Sequence, residues 1–446
     1  MPSPKHFLQF KDLGRDELEY LFGRTRWIKQ QFKAYRPHHP LFDRTLVMIF
    51  EKQSTRTRLS FEAAMWRLGG AVISASDMKS SSAAKGETLA DTAKVVSSYA
   101  DLLVLRHFWD GAARLAAEHA AVPVINAGDG GHEHPTQTLC DLYTLWKEKG
   151  HIDDLEVVLC GDLRYSRTIH SFCYALARFG ANIVTMPYPG FELPDYVLHR
   201  LKRDFGIQAA AASVADLPGI AGSSNAAAYL TASKPHQLAL FTNLTNIEVN
   251  RIDAIYMTRA QRERHSGEST ANYPRLGRNT LGAAAAKDAR IMHPLPRVDE
   301  IDYDVDDDPR SVYFRQAELG VPMRMALMAF LLGKIQLRSA PPPILSVHPG
   351  IEAGAGLRCR NERCITNNEG VRYLVRDFRL REAEVPPQLS CAYCEREIEA
   401  RFVGHVQSRV FHRYNAAEAR HIKSDNRVYF ESEAQAQAAG FQPPAT

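Results

Sequence analysis

Short runs rich in valine, isoleucine and leucine recur between residues 45 and 296, and segments with helical periodicity separate them. The runs are almost continuously apolar, whereas strands with one solvated face alternate apolar and polar residues. Continuous runs are typical of parallel strands that helices cover on both faces. They form two series, which are 45–50, 71–76, 101–106 and 123–128 in the first and 156–162, 182–188, 253–259 and 290–296 in the second. The pattern predicts an α/β fold class with two doubly wound parallel-sheet domains.

An amphipathic helix is predicted between the two series, from residue 136 to a stop signal at Gly150. Its apolar positions are Leu139, Leu142, Tyr143 and Trp146. In open parallel sheets, ligands bind beyond the carboxyl ends of the strands, and in a two-domain chain the cleft between the domains is the natural site. We therefore expect functional residues at the strand ends that face this cleft.

Polar residues cluster at those strand ends. The pentapeptide STRTR, residues 54–58, follows an apolar strand and opens a helix, where unpaired N–H groups and the helix dipole favour an anion. Arg56 adds a planar guanidinium suited to phosphate or carboxylate oxygens. Further polar residues at strand ends are Arg106, His134, Gln137, Arg167, Arg259 and the segment 293–297. Taken singly, each has an ordinary alternative as a helix cap, a structural histidine or a solvated arginine.

The charge pattern excludes some classes of partner. The chain has 446 residues, its 55 basic and 51 acidic side chains are interspersed, and the net charge is +4. No basic stripe indicates nucleic acid binding. The opening sequence MPSPKHFLQF lacks the apolar core of a secretory signal, and no apolar run approaches the roughly 18 residues of a membrane span. We expect a cytoplasmic protein that binds neither nucleic acid nor membranes.

Four cysteines near the C-terminus have the spacing of a metal site. Cys359, Cys364, Cys391 and Cys394 form the pattern C-x4-C, a long spacer and C-x2-C. Two close thiolate pairs predict a closed tetrahedral zinc site, which is structural because four cysteines leave no position for a catalytic water. The alternative is four free thiols. The cysteines at 140, 160 and 173 lie singly in apolar segments and are predicted to be buried.

Seven separated motifs carry a family resemblance. They are FEKQSTRTRLSFEAAMWRLGG, KGETLADT, LRHFWDGAARLA, NAGDGGHEHPTQTLCDLYTL, GDLRYSRTIHS, YMTRAQRER and HPLPRVDEID. In order and wording they resemble aspartate carbamoyltransferase catalytic chains, from about residue 5 to residue 337. Ornithine carbamoyltransferases share STRTR, but Thr136 in HPTQ and Leu295 in HPLPR follow the aspartate pattern.

The resemblance implies transfer of a carbamoyl group from carbamoyl phosphate to the amine of L-aspartate, in pyrimidine synthesis. Both substrates are anions, so a positive, partly enclosed pocket is the first requirement. Carbamoyl phosphate would be bound by Ser54, Thr55, Arg56, Thr57, Arg106, His134, Gln137, Ser81, Lys85 and the carbonyl groups of Leu295 and Pro296. Aspartate would be bound by Arg167 at its α-carboxylate, by Arg259 and Gln261 at its side-chain carboxylate, and by Lys85. The neighbouring Arg262 and Arg264 are interpreted as surface residues.

Catalytic roles also come from the resemblance. Thr57, Arg106 and His134 would donate to the oxygen that gains negative charge in the tetrahedral intermediate, and Lys85 would act beside them. No general base is evident, so the departing phosphate would accept the proton. Catalysis would then consist mainly of positioning and electrostatic stabilisation.

The polar loop KSSSAAKG implies an oligomer. In the family this loop reaches the active site of a neighbouring subunit, and Ser81 and Lys85 match the serine and the lysine that contact substrate there. A homotrimer with shared active sites is therefore expected. By itself, the loop reads as an ordinary surface segment.

The C-terminal hundred residues bear two further resemblances. The segment around the four cysteines, including CAYCEREI, resembles the zinc domain of the aspartate carbamoyltransferase regulatory chain, with an expected role in contact between catalytic chains and in higher assembly. Only a Pro-rich linker precedes it, so the regulatory nucleotide-binding domain is missing and control by ATP or CTP is not expected. The tail resembles small metal-binding modules of DNA-repair methyltransferases, but Ala416 and Pro444 stand where those modules carry cysteines, and no metal is expected there.

The predicted domain organisation has six parts. They are a carbamoyl phosphate-binding domain at 1–144, an aspartate-binding domain at 145–314, a helix that packs back on the first domain at 315–338, a linker at 339–356, a zinc-binding domain at 357–404 and a tail without metal ligands at 405–446. The stretch 221–251 is longer than the family pattern and leaves open a transcarbamylase for another amino acid. A catalytically silent scaffold is the third hypothesis, although no substrate-contacting position is lost.

Overall fold

The structure is a computed structural model of the chain. The residues it describes are 5–33, 39–52, 54–75, 86–188, 190–207, 229–231, 237–240, 251–265, 273–278, 281, 286–335, 351–352, 358–369, 374, 377–381, 386–423 and 426–444. Within these ranges, no helix is long and apolar enough to cross a membrane.

The first lobe is built on a parallel four-stranded sheet in the order β2-β1-β3-β4. Its strands are β1 (Thr45–Phe50), β2 (Ala71–Ala75), β3 (Leu102–His107) and β4 (Val124–Asp129). The helices of this lobe are α1 (Arg15–Lys33), α2 (Thr55–Arg67), α3 (Leu89–Val96), α4 (Ala112–His119) and α5 (Pro135–Lys149). Each strand coincides with a predicted apolar run to within one residue at either end, which confirms the first series.

The second lobe is built on a six-stranded sheet in the order β10-β9-β5-β6-β8-β7. Its strands are β5 (Glu156–Gly161), β6 (Asn182–Pro187), β7 (Tyr229–Thr231), β8 (Gln237–Leu240), β9 (Ala254–Met257) and β10 (Arg290–Met292), and its helices are α6 (Arg167–Phe179) and α7 (Asp195–Phe205). Every pairing is parallel except that of β7 with β8. The long stretch 221–251 therefore contributes strands β7 and β8 at the far edge of this sheet.

Two helices join the lobes. Helix α5 ends at Gly150, which adopts the left-handed conformation at φ 84° as the predicted stop signal requires. Helix α8 (Tyr313–Leu331) packs against α1, α2 and α5. One hydrophobic core runs from the first sheet through α5 and α8 into the second sheet. The relative placement of the two sheets is thus fixed by packing through these helices.

Strand β2 departs from the expectation that every strand is covered on both faces. It pairs only with β1 at the edge of the sheet, and four of its five residues are exposed. Ile73 on this strand is 51% exposed, and Leu59 and Trp66 on the adjacent helix α2 are 50% and 67% exposed. Apolar periodicity predicts burial but not the chain that provides it, and these three side chains stay exposed on β2 and α2.

The C-terminal region is antiparallel and β-rich. One sheet has the order β11-β12-β13-β14, and a smaller one has the order β16-β15-β17. The strands are β11 (Ile351–Glu352), β12 (Asp377–Arg381), β13 (Gln388–Cys391), β14 (Glu397–Glu399), β15 (Phe402–His405), β16 (Phe411–Arg413) and β17 (Arg427–Phe430), with short helices α9 (Ile365–Asn368), α10 (Ala417–His421) and α11 (Glu433–Ala438).

The β11–β14 region packs on the first lobe of its own chain. Asp110, which precedes α4, donates its N–H to the Arg363 carbonyl at 2.9 Å and accepts from the Ile365 N–H at 2.9 Å. Gly111 has φ 85°, and a side chain there would come within 2.7 Å of Tyr393. A second hydrophobic core is shared between α4 and this region. The region around the four cysteines is thus integrated with the first lobe in cis.

Candidate active site

A cavity of about 380 Å³ lies between the two lobes, beyond the carboxyl ends of β1, β3, β5, β9 and β10. It is lined by the described residues that the sequence assigned to the substrate site, which are Ser54, Thr55, Arg56, Thr57, Arg106, His134, Gln137, Arg167, Arg259, Gln261, Leu295 and Pro296. Ser81 and Lys85 lie outside the described residues. The structure therefore brings the separate motifs of both lobes to one cavity.

The first helical turn of α2 forms one wall of the cavity. Ser54 is its N-cap, and the Ser54 hydroxyl donates to the Thr57 hydroxyl at 3.0 Å. Thr57 is buried, whereas Arg56 stays accessible to solvent. Burial and the nearby Arg259 charge lower the pKa of Arg56. The helix N-terminus and an arginine without a carboxylate partner among the described residues make this wall suited to a dianion.

Arg106 and His134 meet at the floor of the cavity. The Arg106 Nη1 donates to the Ala127 carbonyl at 2.9 Å and lies 3.3 Å from the His134 Nε2. An arginine only donates, so His134 accepts through Nε2 in this arrangement. Burial, together with the charges of Arg167 and Arg106, holds the pKa of His134 well below its usual range. His134 is therefore a neutral imidazole.

The second lobe supplies two further arginines. Arg167 opens α6, is buried, and donates from Nη1 to the Gly130 carbonyl at 2.7 Å. Burial, followed by the Arg106 charge, holds its pKa well below the usual range. Arg259 follows β9 and is bonded to Glu263 at 2.6 and 3.0 Å. Arg167 thus has no carboxylate partner among the described residues, whereas Arg259 is already paired with the carboxylate of Glu263.

The HPLP segment closes the cavity from the side of β10. The His293 Nε2 is 2.8 Å from Glu300, and its Nδ1 accepts from the Leu295 N–H at 2.7 Å. The His293 N–H donates to the Gln316 Oε1 at 3.1 Å. These bonds fix the backbone that carries the Leu295 and Pro296 carbonyl groups.

Three cations of the cavity escaped the sequence analysis. Lys52 precedes STRTR by two residues and was within reach of the strand-end rule. Arg324 is buried in the apolar second half of helix α8, a position that was itself a signal, and its Nη1 lies 3.4 Å from the Cys140 sulfur. The interpretation of Arg264 as a surface residue was wrong. Its guanidinium lines the cavity and donates to the carbonyl groups of Tyr165 and Gly130 at 2.7 and 3.2 Å.

The difference between Arg262 and Arg264 has a simple cause. Residues 262–264 form a single 3-10 turn, which points adjacent side chains in different directions. Arg262 is exposed and faces Asp299 at 3.6 Å. Charge alone could not distinguish the two arginines, because the distinction depends on local backbone conformation.

The four C-terminal cysteines form one buried cluster. Sulfur atoms of Cys359 and Cys394 are 3.4 Å apart, those of Cys364 and Cys391 are 3.8 Å apart, and all four lie within 4.8 Å of one another. A tetrahedral site with bonds of about 2.3 Å to sulfur has edges of about 3.8 Å. The arrangement fits a four-thiolate metal site.

Comparisons with known families cover most of the chain. Residues 5–147 match the family model described as aspartate/ornithine carbamoyltransferase, carbamoyl-P binding domain, and residues 153–331 match its Asp/Orn binding domain. Residues 351–403 match the metal binding domain of the aspartate carbamoyltransferase regulatory chain. The three matches stand in the order that the motifs indicated.

Individual relatives agree with these matches. The catalytic subunit of aspartate carbamoyltransferase from Methanocaldococcus jannaschii is 41% identical over 333 residues, which are 74% of this chain and 98% of the relative. The subunit from Thermoplasma acidophilum is 42% identical over 337 residues, 75% of this chain and 100% of the relative.

Solved structures are also similar. The M. jannaschii catalytic subunit has a TM-score of 0.63 at 40% identity, covering 74% of this chain and 98% of that one. Aspartate transcarbamoylase from Trypanosoma cruzi, in complex with N-(phosphonacetyl)-L-aspartic acid, has a TM-score of 0.64 at 31% identity and covers 73% and 95%. The chain belongs to the family of aspartate carbamoyltransferase catalytic subunits and carries a metal binding domain of the regulatory-chain type at its C-terminus.

Proposed function

We propose that the chain is an aspartate carbamoyltransferase, which converts carbamoyl phosphate and L-aspartate to N-carbamoyl-L-aspartate and phosphate in pyrimidine synthesis. The observation that carries the proposal is the meeting of Arg56, Arg106, Arg167 and Arg259 in one cavity between the lobes. Two anionic substrates require such a concentration of positive charge. A scaffold without catalytic function has no use for it, because Arg167 is buried without a carboxylate partner among the described residues, and an unpaired buried cation destabilises a fold.

The α2 wall would bind the phosphate. Ser54, Thr55, Arg56 and Thr57 offer hydroxyl, guanidinium and first-turn N–H donors, and Arg106 would bridge the phosphate and the carbonyl oxygen. As Arg106 turns to the ligand, it releases the His134 Nε2. The neutral imidazole can then carry its proton on Nε2, with the Thr136 hydroxyl donating to Nδ1, and present that N–H to the same carbonyl oxygen.

Aspartate would enter on the side of the second lobe. Arg167 would bind its α-carboxylate, and Arg259 with Gln261 its side-chain carboxylate. Because Arg259 is bonded to Glu263 in the structure, the substrate carboxylate would replace Glu263. This exchange favours a substrate with a second carboxylate over ornithine, whose second group is a cation.

Attack of the amine places negative charge on the carbonyl oxygen. Thr57, Arg106 and His134 would stabilise that charge, and one such donor typically contributes about 3 to 4 kcal/mol. The departing phosphate would accept the amine proton. Lys85, from a neighbouring subunit, would add a further cation.

The active oligomer is proposed to be a homotrimer in the cytoplasm. Support comes from Leu59 and Trp66, which lie seven residues apart on α2 and are both exposed, and from Ile73, which is exposed on the edge strand β2. Large exposed apolar side chains are typical of subunit contacts. The domain limits are proposed to be those predicted from the sequence, from the carbamoyl phosphate-binding domain at 1–144 to the tail at 405–446.

The metal of the four-cysteine cluster is proposed to be zinc in a structural role. Cys359, Cys364, Cys391 and Cys394 would fill all four positions, and none would remain for water. The metal would therefore hold the fold of the C-terminal domain and take no part in the chemistry.

Steady-state assays with aspartate, ornithine and other amino acids test the proposal. We expect turnover with aspartate, and an increase of roughly 100-fold or more in its KM in Arg167→Gln and Arg259→Gln. Arg262→Gln, an exposed arginine of the same motif, serves as the matched control and should leave KM unchanged. Absence of turnover with aspartate, or faster turnover with another amino acid, would refute the assignment.

A further inference from the structure

Asp141 is a buried carboxylate in the middle of α5, next to the cavity but outside the substrate contacts proposed above. Its side chain is 0% exposed and receives three hydrogen bonds. The Gln137 Nε2 donates at 2.7 Å and the Gln316 Nε2 at 2.6 Å, both to Oδ1, while the Tyr256 hydroxyl donates to Oδ2 at 2.6 Å. These donors come from α5, α8 and β9, so one carboxylate connects both lobes and the helix between them.

An ionised carboxylate can only accept hydrogen bonds. Both glutamines must therefore turn their NH2 groups towards Asp141, and their carbonyl oxygens point away from it. Gln137 lines the cavity, so its Oε1 is the atom left for a ligand. Because the Asp141 carboxylate only accepts, its chemistry determines which end of each glutamine amide faces it.

Gln316 transmits the same orientation to the HPLP segment. With its Nε2 bound to Asp141, the Gln316 Oε1 accepts the His293 N–H at 3.1 Å. The His293 Nδ1 in turn accepts the Leu295 N–H at 2.7 Å, which orders the backbone carrying the Leu295 and Pro296 carbonyl groups. Hydrogen bonds thus connect Asp141 to both sets of oxygen acceptors at this end of the cavity, the Gln137 Oε1 and the Leu295 and Pro296 carbonyl groups.

We propose that Asp141 is a positioning residue that makes the cavity selective for an NH2-bearing acyl phosphate, carbamoyl phosphate, over acetyl phosphate, which carries a methyl group in the same place. The inference rests on the proposed function, because it takes the Gln137 oxygen and the Leu295 and Pro296 carbonyl groups to face the carbamoyl NH2. A site lined by acceptors rewards a ligand with two N–H donors and leaves acceptors unpaired against a methyl group. Asp141 itself touches no substrate.

A purely structural role for Asp141 makes a different prediction. If the carboxylate only held α5, α8 and β9 together, its loss would weaken binding of every ligand in parallel. A positioning role changes the ratio of the affinities for carbamoyl phosphate and acetyl phosphate. Inorganic phosphate, which lacks the acyl group, reports on the phosphate end alone.

The experiment measures binding of the three ligands to the full-length protein without aspartate, by calorimetry or displacement of a phosphonate probe. Asp141→Leu removes the acceptor. We expect affinity for carbamoyl phosphate to fall about 10- to 100-fold, with affinities for acetyl phosphate and phosphate within about threefold of the wild-type values. Asp141→Asn keeps an oxygen that both glutamines can use while Tyr256 turns to accept, so it should retain the wild-type ratio within about threefold.

Tyr256→Phe is the matched control, because it removes one hydrogen bond from the same buried carboxylate without reaching either acceptor group. It should keep the ratio. Should Asp141→Leu fail to fold, Gln316→Met provides a second test because it removes the hydrogen bond to the His293 N–H. It should lower the ratio of the affinities for carbamoyl phosphate and acetyl phosphate about threefold to tenfold. An unchanged ratio in the folded test variant, or equal losses for all three ligands, would overturn the inference. The proposed function fails on a separate measurement, transfer to aspartate by the wild-type protein.

Discussion

The cavity differs from an ordinary cleft in the number of cationic side chains that line it. Lys52 lies among Arg264, Arg167 and Arg106, and it has no hydrogen bond or ion pair with the residues that the structure describes. Burial, followed by those charges, lowers the pKa of Lys52 to about 8. An anion in the cavity would reverse the effect of the neighbours and raise that pKa. The lysine is therefore best suited to the liganded state.

Replacement of Lys52 separates stability from binding. The pKa of Lys52 is about 8 in the folded chain and has its ordinary value of 10.5 in the unfolded chain, so the unfolded chain binds more protons between these two pH values. The folded state therefore gains stability from this group as pH rises through that window and is destabilised by its charge below pH 8. We expect Lys52→Gln to raise the melting temperature at pH 7 while affinity for carbamoyl phosphate falls about 10-fold. Thermal unfolding and calorimetry at pH 7 check both effects.

The pH profile gives the second readout for Lys52. Wild-type affinity for carbamoyl phosphate should decline above about pH 8 as Lys52 loses its proton, whereas the profile of Lys52→Gln should be flatter. Lys202→Gln, an exposed lysine on α7, is the control and should retain the wild-type profile. If the variant and the wild-type protein show the same decline, Lys52 does not contribute to binding.

Sequence reasoning at the residue scale worked where position along a strand was sufficient. Arg106, Arg167 and Arg259 lie at strand ends or helix starts, and the strand-end rule located them in the cavity. Arg264 and Arg324 depend on the direction of a side chain from a 3-10 turn and a buried helix. Those directions are set by tertiary packing, which spacing in the sequence does not encode.

At the scale of elements, the turn between β13 and β14 links the four-cysteine cluster to the first and second lobes. Glu395, the residue after Cys394, accepts from the Arg200 Nη1 of α7 at 2.7 Å and also pairs with Lys11. Glu397 accepts from the Arg203 Nη1 at 2.7 Å. A metal that orders this turn therefore also orders its contacts with α7.

Removal of one thiolate tests this link. Purified wild-type protein should contain about one zinc per chain, and Cys391→Ser should lose it, since three thiolates bind the ion far more weakly. Because the turn then loosens, hydrogen exchange should increase in 195–205 and the melting temperature should fall by roughly 5 °C or more. Cys173→Ser, at a buried cysteine outside the cluster, is the control for zinc content. Full zinc content in Cys391→Ser would contradict a four-thiolate site.

Elements were more predictable than their surroundings. The runs 45–50 and 156–162 became β1 and β5 because parallel strands need apolar residues on both faces. The same rule was wrong about the burial of β2, whose apolar face is uncovered in a single chain. Strands β7 and β8 lie in a stretch with little apolar periodicity, and the pairing of β8 with β6 and of β7 with β8 places them in the sheet.

The whole molecule joins two lobes and a metal domain through continuous packing. The first hydrophobic core spans the parallel sheet of the first lobe and the sheet of the second lobe, and the second core joins α4 to the region around the four cysteines. The docking of that segment on its own chain could not be read from the sequence, because a linker such as 339–356 permits contact in cis or with another chain. The exposed apolar side chains on α2 and β2 remain available for the assembly proposed above.

The proposed sharing of active sites in a homotrimer makes a quantitative prediction for mixed trimers. Arg106→Ala removes a group from the cavity, and Lys85→Ala removes the lysine that a neighbouring subunit would supply, so each variant alone should be nearly inactive. In a ring of three subunits, each site takes one cavity and one neighbouring loop. After equal mixing, denaturation and reassembly, the chance that both are intact is one half times one half, and about a quarter of wild-type activity should return. A mixture of Arg106→Ala with His134→Ala places both defects in the cavity, so it should recover nothing. Equal recovery in the two mixtures, or none in the first, would mean that each active site is built from one chain.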